Sequence, residues 1–296
     1  MRVEANAKVN FTLEVFGKRA DGYHALRSVV MPISLSDTLD IEATDDGEIT
    51  SDTGYDDDLC VKAARVFKSS ASSLPSSLGA TIRVAKRIPA GGGLGGGSAD
   101  AAAVLRALNE LWKVGLSREE LAEVGAQVGS DVPALVLGGP VIMEGRGEVV
   151  KSIGACACGD LSSDQPTSRP TDHLRTLNLV LVNPGINCST REVYAACEAR
   201  PLGGEDLTAK MVSALQAGDL SRIAAAFMND LQPSAVKCHP EIADALVSLR
   251  TAGVIGAMMS GSGSSVFGLV ANESEAQRIS SEMTVRGCQS WPVQTL

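Results

Sequence analysis

The first fifteen residues alternate between apolar and polar positions with the period of a β-strand. Apolar residues occupy the odd-numbered positions from 3 to 15, and polar residues, among them Lys8 and Asn10, occupy the even-numbered ones. A period of two places the two sets on opposite faces of a strand. We therefore predict a strand over 3–15 with one buried and one polar face, followed by a connecting turn over 17–22.

The rest of the chain mixes strand patterns and helix patterns. Apolar residues at helical spacing over 98–112 predict a helix, and Ser117 with Glu120 forms a capping box that predicts the start of another. Further strands are predicted near 29–35, 38–43, 80–85, 141–144, 177–182, 254–258, 265–270 and at the C-terminus, and further helices near 58–69, 191–199, 206–217, 240–252 and 274–284. This mixture predicts an α+β fold.

The stretch over residues 154–176 interrupts this order. It is rich in Ser, Thr, Asp, Pro and Cys and has no apolar period. Such composition is typical of surface insertions and linkers. We therefore predict an N-terminal domain over residues 1–153, a flexible insertion or linker over 154–176, and a C-terminal α+β domain over 177–296.

Composition and charge narrow the class of protein. The 296 residues carry a formal net charge of −9, which argues against a nucleic-acid partner. The chain contains no run of 18 apolar residues, so no membrane span is predicted. The N-terminus lacks the layout of a signal or transit peptide. Seven irregularly spaced cysteines fit reduced thiols and lack the spacing of a zinc site. We expect a cytoplasmic protein without a membrane partner.

Six glycines in the seven positions Gly91–Gly97 stand between a predicted strand and the helix predicted from Ser98. Glycine loses more backbone entropy on folding than any other residue, so such a run indicates a place where side chains would block a ligand. The free N–H groups at a helix N-terminus attract phosphate. A flexible linker is the alternative, but linkers rarely join a buried strand to a strongly patterned helix. We predict a phosphate-binding loop.

The known phosphate loops do not match this segment. A Walker A loop requires lysine after its last glycine, where this chain has Ser98. Gly91, Gly93 and Gly96 satisfy the dinucleotide-binding pattern, but a second helix follows where that fold requires a strand ending in an acidic residue. The protein-kinase motifs His-Arg-Asp and Asp-Phe-Gly are absent. The residues alone therefore indicate a phosphate-binding loop of an unusual type.

A family resemblance takes the interpretation further. The sequence Pro-Ala-Gly-Gly-Gly-Leu-Gly-Gly-Gly-Ser-Ala-Asp-Ala-Ala from Pro89 resembles the ATP loop of the GHMP kinases. Ala7–Asn10 and Met259–Ser264 resemble the first and third motifs of that family, in the same order. The segments 17–24, 129–133 and 183–185 are similar to the signature of one branch, whose acceptor substrate carries a cytidine diphosphate group.

The resemblance implies a kinase that uses ATP and Mg²⁺ to phosphorylate a hydroxyl group of a small molecule carrying cytidine diphosphate. It also implies a ribosomal-protein-S5-like N-terminal domain that binds ATP and substrate, a ferredoxin-like C-terminal domain, and a site in the cleft between them. A GHMP kinase acting on homoserine or mevalonate is a second hypothesis, against which the segment Asp21–His24 argues. A catalytically silent nucleotide-binding protein is a third; it is expected to lose Lys8 or Asp131 before its glycines, and both are present.

The resemblance assigns roles residue by residue. It places catalytic groups at Lys8 and Asp131, and acceptor contacts at Asn10, Tyr23 and His24. ATP is expected to contact Pro89, Ala90, Gly91, Gly92, Gly93, Leu94, Gly95, Gly96, Gly97, Ser98 and Ala99. The third-motif loop, Gly261, Ser262 and Gly263, is expected to close over the phosphates or the acceptor. The metal ligands stay undefined, and the oligomeric state stays open between a monomer and a weak dimer.

The residues alone support a plainer interpretation of several of these positions. Alternation by itself predicts that the strand face bearing Lys8 and Asn10 is in solvent, and that Tyr23 is an exposed turn residue. Asp131 precedes a short apolar run and is predicted to N-cap a short helix there. Ser98 is predicted to N-cap the helix that follows the glycines, and its hydroxyl is a candidate contact for a β-phosphate or Mg²⁺.

Overall fold

The computed structural model describes residues 1–71, 74–153, 174–201 and 205–296. The strands in this part are β1 (Arg2–Asn10), β2 (Thr12–Lys18), β3 (His24–Thr44), β4 (Ile49–Ser51), β5 (Gly79–Ala85), β6 (Val141–Gly145), β7 (Val149–Ser152), β8 (Asn178–Asn183), β9 (Met228–Asn229), β10 (Gly256–Met259), β11 (Val266–Val270) and β12 (Gln289–Gln294). The helices are α1 (Leu59–Ser70), α2 (Gly96–Leu111), α3 (Arg118–Gly125), α4 (Val132–Leu137), α5 (Thr190–Ala195), α6 (Leu207–Ala217), α7 (Leu220–Ala225), α8 (Gln232–Cys238), α9 (Glu241–Thr251) and α10 (Glu273–Val285). The α+β prediction is confirmed.

The larger sheet is organised around the long strand β3. β3 pairs antiparallel with β1, β2, β5 and β6, while β4, β7 and β9 extend the sheet at its edges. Helix α2 packs on β1 and β3, and α1 packs on α2. The glycine run joins β5 to α2, so this packing fixes both ends of the loop.

The smaller sheet contains four antiparallel strands in the order β10, β11, β8, β12. Leu179 and Leu181 of β8 belong to the main core, which it shares with the larger sheet, whereas Val180 and Val182 belong to a second core under α9 and α10. The strand is thus apolar on both faces, which explains its continuous run of apolar residues.

Three phenylalanines hold the two sheets together. The ring of Phe11 lies 5.1 Å from Phe227 and 5.5 Å from Phe267, measured between centroids. Phe227 and Phe267 contact each other edge to face at 5.2 Å. Since aromatic side chains bury large areas, this cluster fixes the position of the smaller sheet against the strands that carry the glycine loop.

The structure corrects several predicted elements. The single strand predicted over 3–15 is two strands, because the backbone bends at buried Phe11. The strands predicted near 29–35 and 38–43 are one strand, β3, and the predicted helix over 191–199 ends at Ala195. The capping box of Ser117 and Glu120 is confirmed. The short helix predicted after Asp131 is α4, whereas five other short elements were not predicted: β4, β7, β9, α7 and α8.

The predicted domain limits stay predictions. The larger sheet is formed mainly by residues before 153, but β9 pairs with β2 and Thr295 bridges Ile33, so the C-terminal part also contributes to it. Most of the predicted insertion, residues 154–173, lies outside the described residues. Among the helices that the structure describes, none combines the length and apolar character needed to cross a membrane.

Candidate active site

A cavity of about 980 Å³ opens between the two sheets. It is lined by most of the residues singled out from the sequence, namely Lys8, Asn10, Tyr23, His24, Pro89, Ala90, Gly91, Gly92, Gly93, Leu94, Gly95, Gly96, Gly97, Ser98, Asp131, Gly261 and Ser262. Two predicted residues do not line it. Ala99 is buried in α2, and Gly263 lies where an added Cβ would meet Met259 Sδ at 2.8 Å.

Helix α2 begins inside the glycine run. Gly95, with φ of +69°, is its N-cap, and Ala99 N donates to Gly95 O at 2.8 Å to begin the helical hydrogen bonds. The prediction that Ser98 caps this helix is therefore wrong, because Ser98 lies within its first turn. The N–H groups of Gly96, Gly97 and Ser98 have no acceptor within the helix and lie at the cavity wall. Together with the positive end of the helix dipole, they form a site suited to an anion.

The glycine loop is held tightly from both sides. Lys8 N donates to Leu94 O at 3.0 Å, and on the other side Ser260 Oγ donates to Gly93 O at 3.0 Å. A Cβ on Gly93 would lie 2.2 Å from Ser260 O, and one on Gly95 would lie 3.1 Å from Lys8 Cε. At Gly93 and Gly95, side chains are thus excluded by neighbouring protein atoms.

Lys8 is buried and faces the cavity. Only 5% of the residue is exposed, and its Nζ donates to Asn10 Oδ1 at 2.7 Å. Asn10 Nδ2 in turn donates to Ser28 Oγ, which donates to Thr12 O. The expectation from alternation alone, that this strand face is in solvent, is wrong because the opposite wall of the cavity and the third-motif loop cover it.

Asp131 stands at the N-terminus of α4 and makes no capping hydrogen bond there. Its Oδ2 lies 3.5 Å from Lys8 Nζ, and 32% of its side chain is exposed. The predicted capping role is therefore wrong for the side chain, although the residue does precede a short helix. A cation and a carboxylate lie side by side at the mouth of the glycine loop.

The third-motif loop approaches the same two groups from the smaller sheet. A Cβ on Gly261 would lie 2.9 Å from Gly93 O and 3.3 Å from Lys8 Nζ. Asn229, from the short strand β9, donates to Met259 O and Gly261 O at 2.8 Å each. Asn229 was not predicted from the sequence, because no motif surrounds it.

An aromatic group lies at the other end of the cavity. Tyr23 is 59% exposed on the turn before β3, and the guanidinium of Arg146 lies 5.2 Å from its ring centroid. The His24 ring lies 6.0 Å from that of Tyr194, and Tyr194 also lines the cavity. Burial raises the pKa of Tyr194, and the charge of Asp131 adds to the effect. Tyr194 is a second residue that the sequence patterns did not single out.

Lys86 connects the strand before the glycine loop to the helix after it. Its Nζ donates to Asp37 Oδ2 at 2.5 Å and to Asp100 Oδ2 at 2.6 Å, and both carboxylates are buried. Burial by itself lowers the pKa of Lys86, but the two carboxylates outweigh it and the pKa lies above its ordinary value. Burial raises the pKa of Asp100 to about 6, although Lys86 opposes the shift.

This ion triad predicts a pH-dependent loss of stability. Lys86→Met leaves two buried carboxylates without a cation, and we expect the free energy of unfolding at pH 8 to fall by roughly 3 kcal/mol. The pKa of Asp100 is already above that of an unfolded aspartate, so ionisation costs stability as the pH rises through it. Without Lys86 that cost grows, so the deficit measured by urea unfolding is expected to be smaller at pH 5 than at pH 8.

Lys151→Met is the matched control for this prediction. Lys151 pairs with Glu144 at 2.9 Å, but 65% of its side chain is exposed, so its loss is expected to cost less than about 1 kcal/mol. Equal losses in both variants, or a deficit at Lys86 that does not change with pH, would contradict the interpretation of Lys86 as the neutralising cation.

The described residues contain no group of three or more His, Cys, Asp or Glu side chains placed to hold a metal ion. The cavity is lined by four aspartates, Asp57, Asp58, Asp100 and Asp131, of which Asp131 lies beside Lys8, and by the helix-turn hydroxyl of Ser98. Mg²⁺ commonly takes one or two protein ligands and completes its shell with substrate phosphates and water. The donor set therefore fits a magnesium ion that is carried by a nucleotide, and does not fit a cage made by protein alone.

Comparisons with known proteins agree with this geometry. The family model described as GHMP kinases N terminal domain matches residues 58–139, and that described as GHMP kinases C terminal matches residues 211–287. A relative from Pelotomaculum thermopropionicum named 4-diphosphocytidyl-2-C-methyl-D-erythritol kinase is 39% identical over 281 residues, which cover 93% of this chain and 91% of the relative. One of the same name from Symbiobacterium thermophilum is 36% identical over 303 residues, covering both chains fully.

Solved structures resemble the chain over its whole length. A crystal structure of 4-(cytidine 5'-diphospho)-2C-methyl-D-erythritol kinase matches with a TM-score of 0.80 at 31% identity, covering 100% of this chain and 99% of the other. Homoserine kinase from Cytophaga hutchinsonii matches with a TM-score of 0.75 at 18% identity, covering 100% and 94%. The second likeness is one of fold alone.

Proposed function

Because this chain belongs to the 4-diphosphocytidyl-2-C-methyl-D-erythritol kinases within the GHMP kinase family, we propose that it transfers the terminal phosphoryl group of ATP to the 2-hydroxyl of that substrate. The reaction belongs to the non-mevalonate route to isoprenoid precursors. The observation that carries the proposal is the pair of Lys8 Nζ and Asp131 Oδ2, 3.5 Å apart, at the mouth of a glycine-lined cavity. A cytoplasmic location stays a prediction.

The donor end of the cavity is suited to a triphosphate. Free N–H groups of Gly96, Gly97 and Ser98 supply hydrogen bonds to phosphate oxygens, and the helix dipole adds favourable charge. Asp131 and the phosphate oxygens would hold Mg²⁺ here, and the ion would neutralise charge at the transferring group. Within the first turn of α2, the Ser98 side chain also offers a hydroxyl oxygen to the phosphates or to the metal ion.

The reacting groups have separate roles. The acceptor oxygen forms a bond to the γ-phosphorus as the bond from that phosphorus to the leaving ADP oxygen breaks, and the hydroxyl proton passes to the Asp131 carboxylate. In a loose transition state the proton leaves late, so Asp131 both orients the hydroxyl and receives its proton. Lys8, fixed by Asn10, stabilises the negative charge on the phosphoryl oxygens.

The acceptor end is suited to a pyrimidine base. Tyr23 and Tyr194 offer two aromatic rings for stacking. His24 Nδ1 lies 3.0 Å from Phe16 O, and because a carbonyl can only accept, Nδ1 carries the proton. Nε2 of the same ring is free to accept the exocyclic amino group of cytosine.

Tyr23→Ala tests the base-binding role. We expect KM for the cytidine-containing acceptor to rise about tenfold, because stacking contributes roughly 1–3 kcal/mol per base. KM for ATP and kcat are expected to change less, since Tyr23 lies away from the reacting groups. Tyr23→Phe keeps the ring and is the matched control, with KM close to that of the parent protein. An unchanged acceptor KM in the alanine variant would remove Tyr23 from the site.

The function itself is tested by offering three acceptors in parallel with MgATP. The proposal predicts that 4-diphosphocytidyl-2-C-methyl-D-erythritol is phosphorylated, at its 2-hydroxyl as located by ³¹P NMR, whereas homoserine and mevalonate are not. Turnover of homoserine or mevalonate in preference would favour another GHMP kinase. ATP binding without turnover of any acceptor would favour a silent nucleotide-binding protein.

A further inference from the structure

A second, smaller cavity lies on the far side of α4 from the proposed active site. Its volume is about 160 Å³, and its lining includes the side chains of Arg106, Arg118 and Asn6. Arg106 projects from α2 and is partly buried, while Arg118 is the first residue of α3. Two guanidinium groups therefore face one small space.

Neither arginine pairs with an acidic side chain in the described part of the chain. Among the residues that the structure describes, no carboxylate oxygen lies within 4.0 Å of either guanidinium, whereas Arg27 and Arg200 each form such ion pairs. Burial and, to a smaller extent, the charge of Arg118 lower the pKa of Arg106 to about 10. Two like charges held together in this way are unfavourable unless an anion joins them.

Helix capping accounts for only part of this arrangement. Arg106 Nη1 donates to Leu135 O at 2.7 Å and Arg118 Nη1 donates to Leu137 O at 2.8 Å, so both satisfy carbonyls at the C-terminus of α4. Arg106 Nη2 also lies 3.4 Å from Glu4 O. Each guanidinium has five N–H groups, so most of them are left without a bonded partner in the described residues.

We propose that this cavity binds a small oxyanion, of the size and charge of orthophosphate or sulfate, between Arg106 and Arg118. Guanidinium forks match tetrahedral oxyanions, and the Asn6 amide provides a further donor at the wall. A volume of 160 Å³ is too small for a nucleotide and sufficient for a single tetrahedral anion. The attraction for an anion comes from these two side chains and not from the overall charge of the protein, because the chain as a whole carries a net charge of −9.

Hydrogen bonds through α4 connect this cavity to the proposed active site. Arg106 bonds Leu135 O, and Leu135 N donates to Asp131 O at 3.3 Å. The proposed anion site is therefore adjacent to the helix that follows Asp131 and lies outside the ATP cavity. This site does not depend on the proposed kinase activity.

Titration calorimetry with orthophosphate tests the proposal, performed with and without a saturating non-hydrolysable ATP analogue to occupy the glycine loop. One orthophosphate is expected to bind per chain with the analogue present, and Arg118→Ala is expected to weaken that binding at least tenfold. Arg118→Lys keeps the charge and is expected to weaken it less. Sulfate is expected to compete, whereas inorganic diphosphate is expected to bind more weakly than orthophosphate.

Arg83→Ala is the control, because Arg83 is exposed and lies 3.8 Å from Glu42 on another face. Its orthophosphate binding is expected to match that of the parent protein. The proposal is overturned if orthophosphate fails to bind when the analogue is present, or if Arg118→Ala binds it as tightly as the parent does. If the analogue itself fails to bind, that result counts against the proposed kinase function. The anion site is then still tested by comparing orthophosphate binding of Arg118→Ala and of the parent protein without the analogue.

Discussion

Asp131→Ala is expected to lower kcat by about three orders of magnitude, within the 10²–10⁴-fold range of a positioned general base. The variant loses both the orientation of the acceptor hydroxyl and the group that receives its proton. ATP affinity is expected to stay within about twofold, because the free N–H groups that hold the phosphates belong to the glycine loop and α2. Steady-state rates and a separate measurement of nucleotide binding check the two halves of this prediction.

Asp131→Asn separates the two roles of the carboxylate. The amide keeps the shape and can still orient a hydroxyl, but it cannot receive the proton. If positioning dominates, the asparagine variant is expected to retain much more activity than the alanine variant. Full activity of Asp131→Ala would remove this residue from the mechanism.

Gly93→Ala is expected to reduce ATP affinity at least about a hundredfold, by forcing apart the two loops that form the donor site. Gly93 has φ of +74°, and an added Cβ would lie 2.2 Å from Ser260 O and 3.0 Å from Gly263 O. These are backbone atoms held in the third-motif loop, so neither can yield cheaply. The steric effect adds to the ordinary cost of about 1 kcal/mol for alanine in the left-handed region.

Gly218→Ala isolates that steric effect. Gly218 ends α6 with φ of +64°, and an added Cβ there would have no heavy atom within 4 Å. The Gly218→Ala variant is expected to lose only the stability that alanine costs in the left-handed region. Its ATP affinity is expected to stay unchanged. The interpretation of the glycine loop would be contradicted if the two variants bound ATP equally well.

The sequence predicted local order better than the breaks within it. Alternation identified the strand that bears Lys8. The alternating pattern continues through Phe11, where the backbone bends, because the bend keeps the same residues inside. The pattern therefore could not show that the strand ends there. Likewise the glycine run predicted a helix N-terminus but placed it at Ser98. A serine favours capping in general, whereas Gly95 reaches the left-handed conformation that this loop requires.

The candidate site was less predictable, because its groups come from distant parts of the chain. Lys8 and Asp131 are separated by more than a hundred residues, and only the family resemblance placed them together. Tyr194, Asn229 and Asp37 lie in segments without a motif, and their roles come from contacts across the fold. Pattern and propensity report neighbours in sequence, and these contacts are tertiary.

The central claim is that main-chain amides of the glycine loop hold a triphosphate beside Lys8 and Asp131. It is tested most directly by a crystal structure with Mg²⁺, a non-hydrolysable ATP analogue and the cytidine-containing acceptor. We expect the γ-phosphate at the N–H groups of Gly96 and Gly97, with the acceptor oxygen about 3–3.5 Å from the γ-phosphorus and next to Asp131. A triphosphate bound away from this loop, or an acceptor hydroxyl remote from Asp131, would contradict the claim.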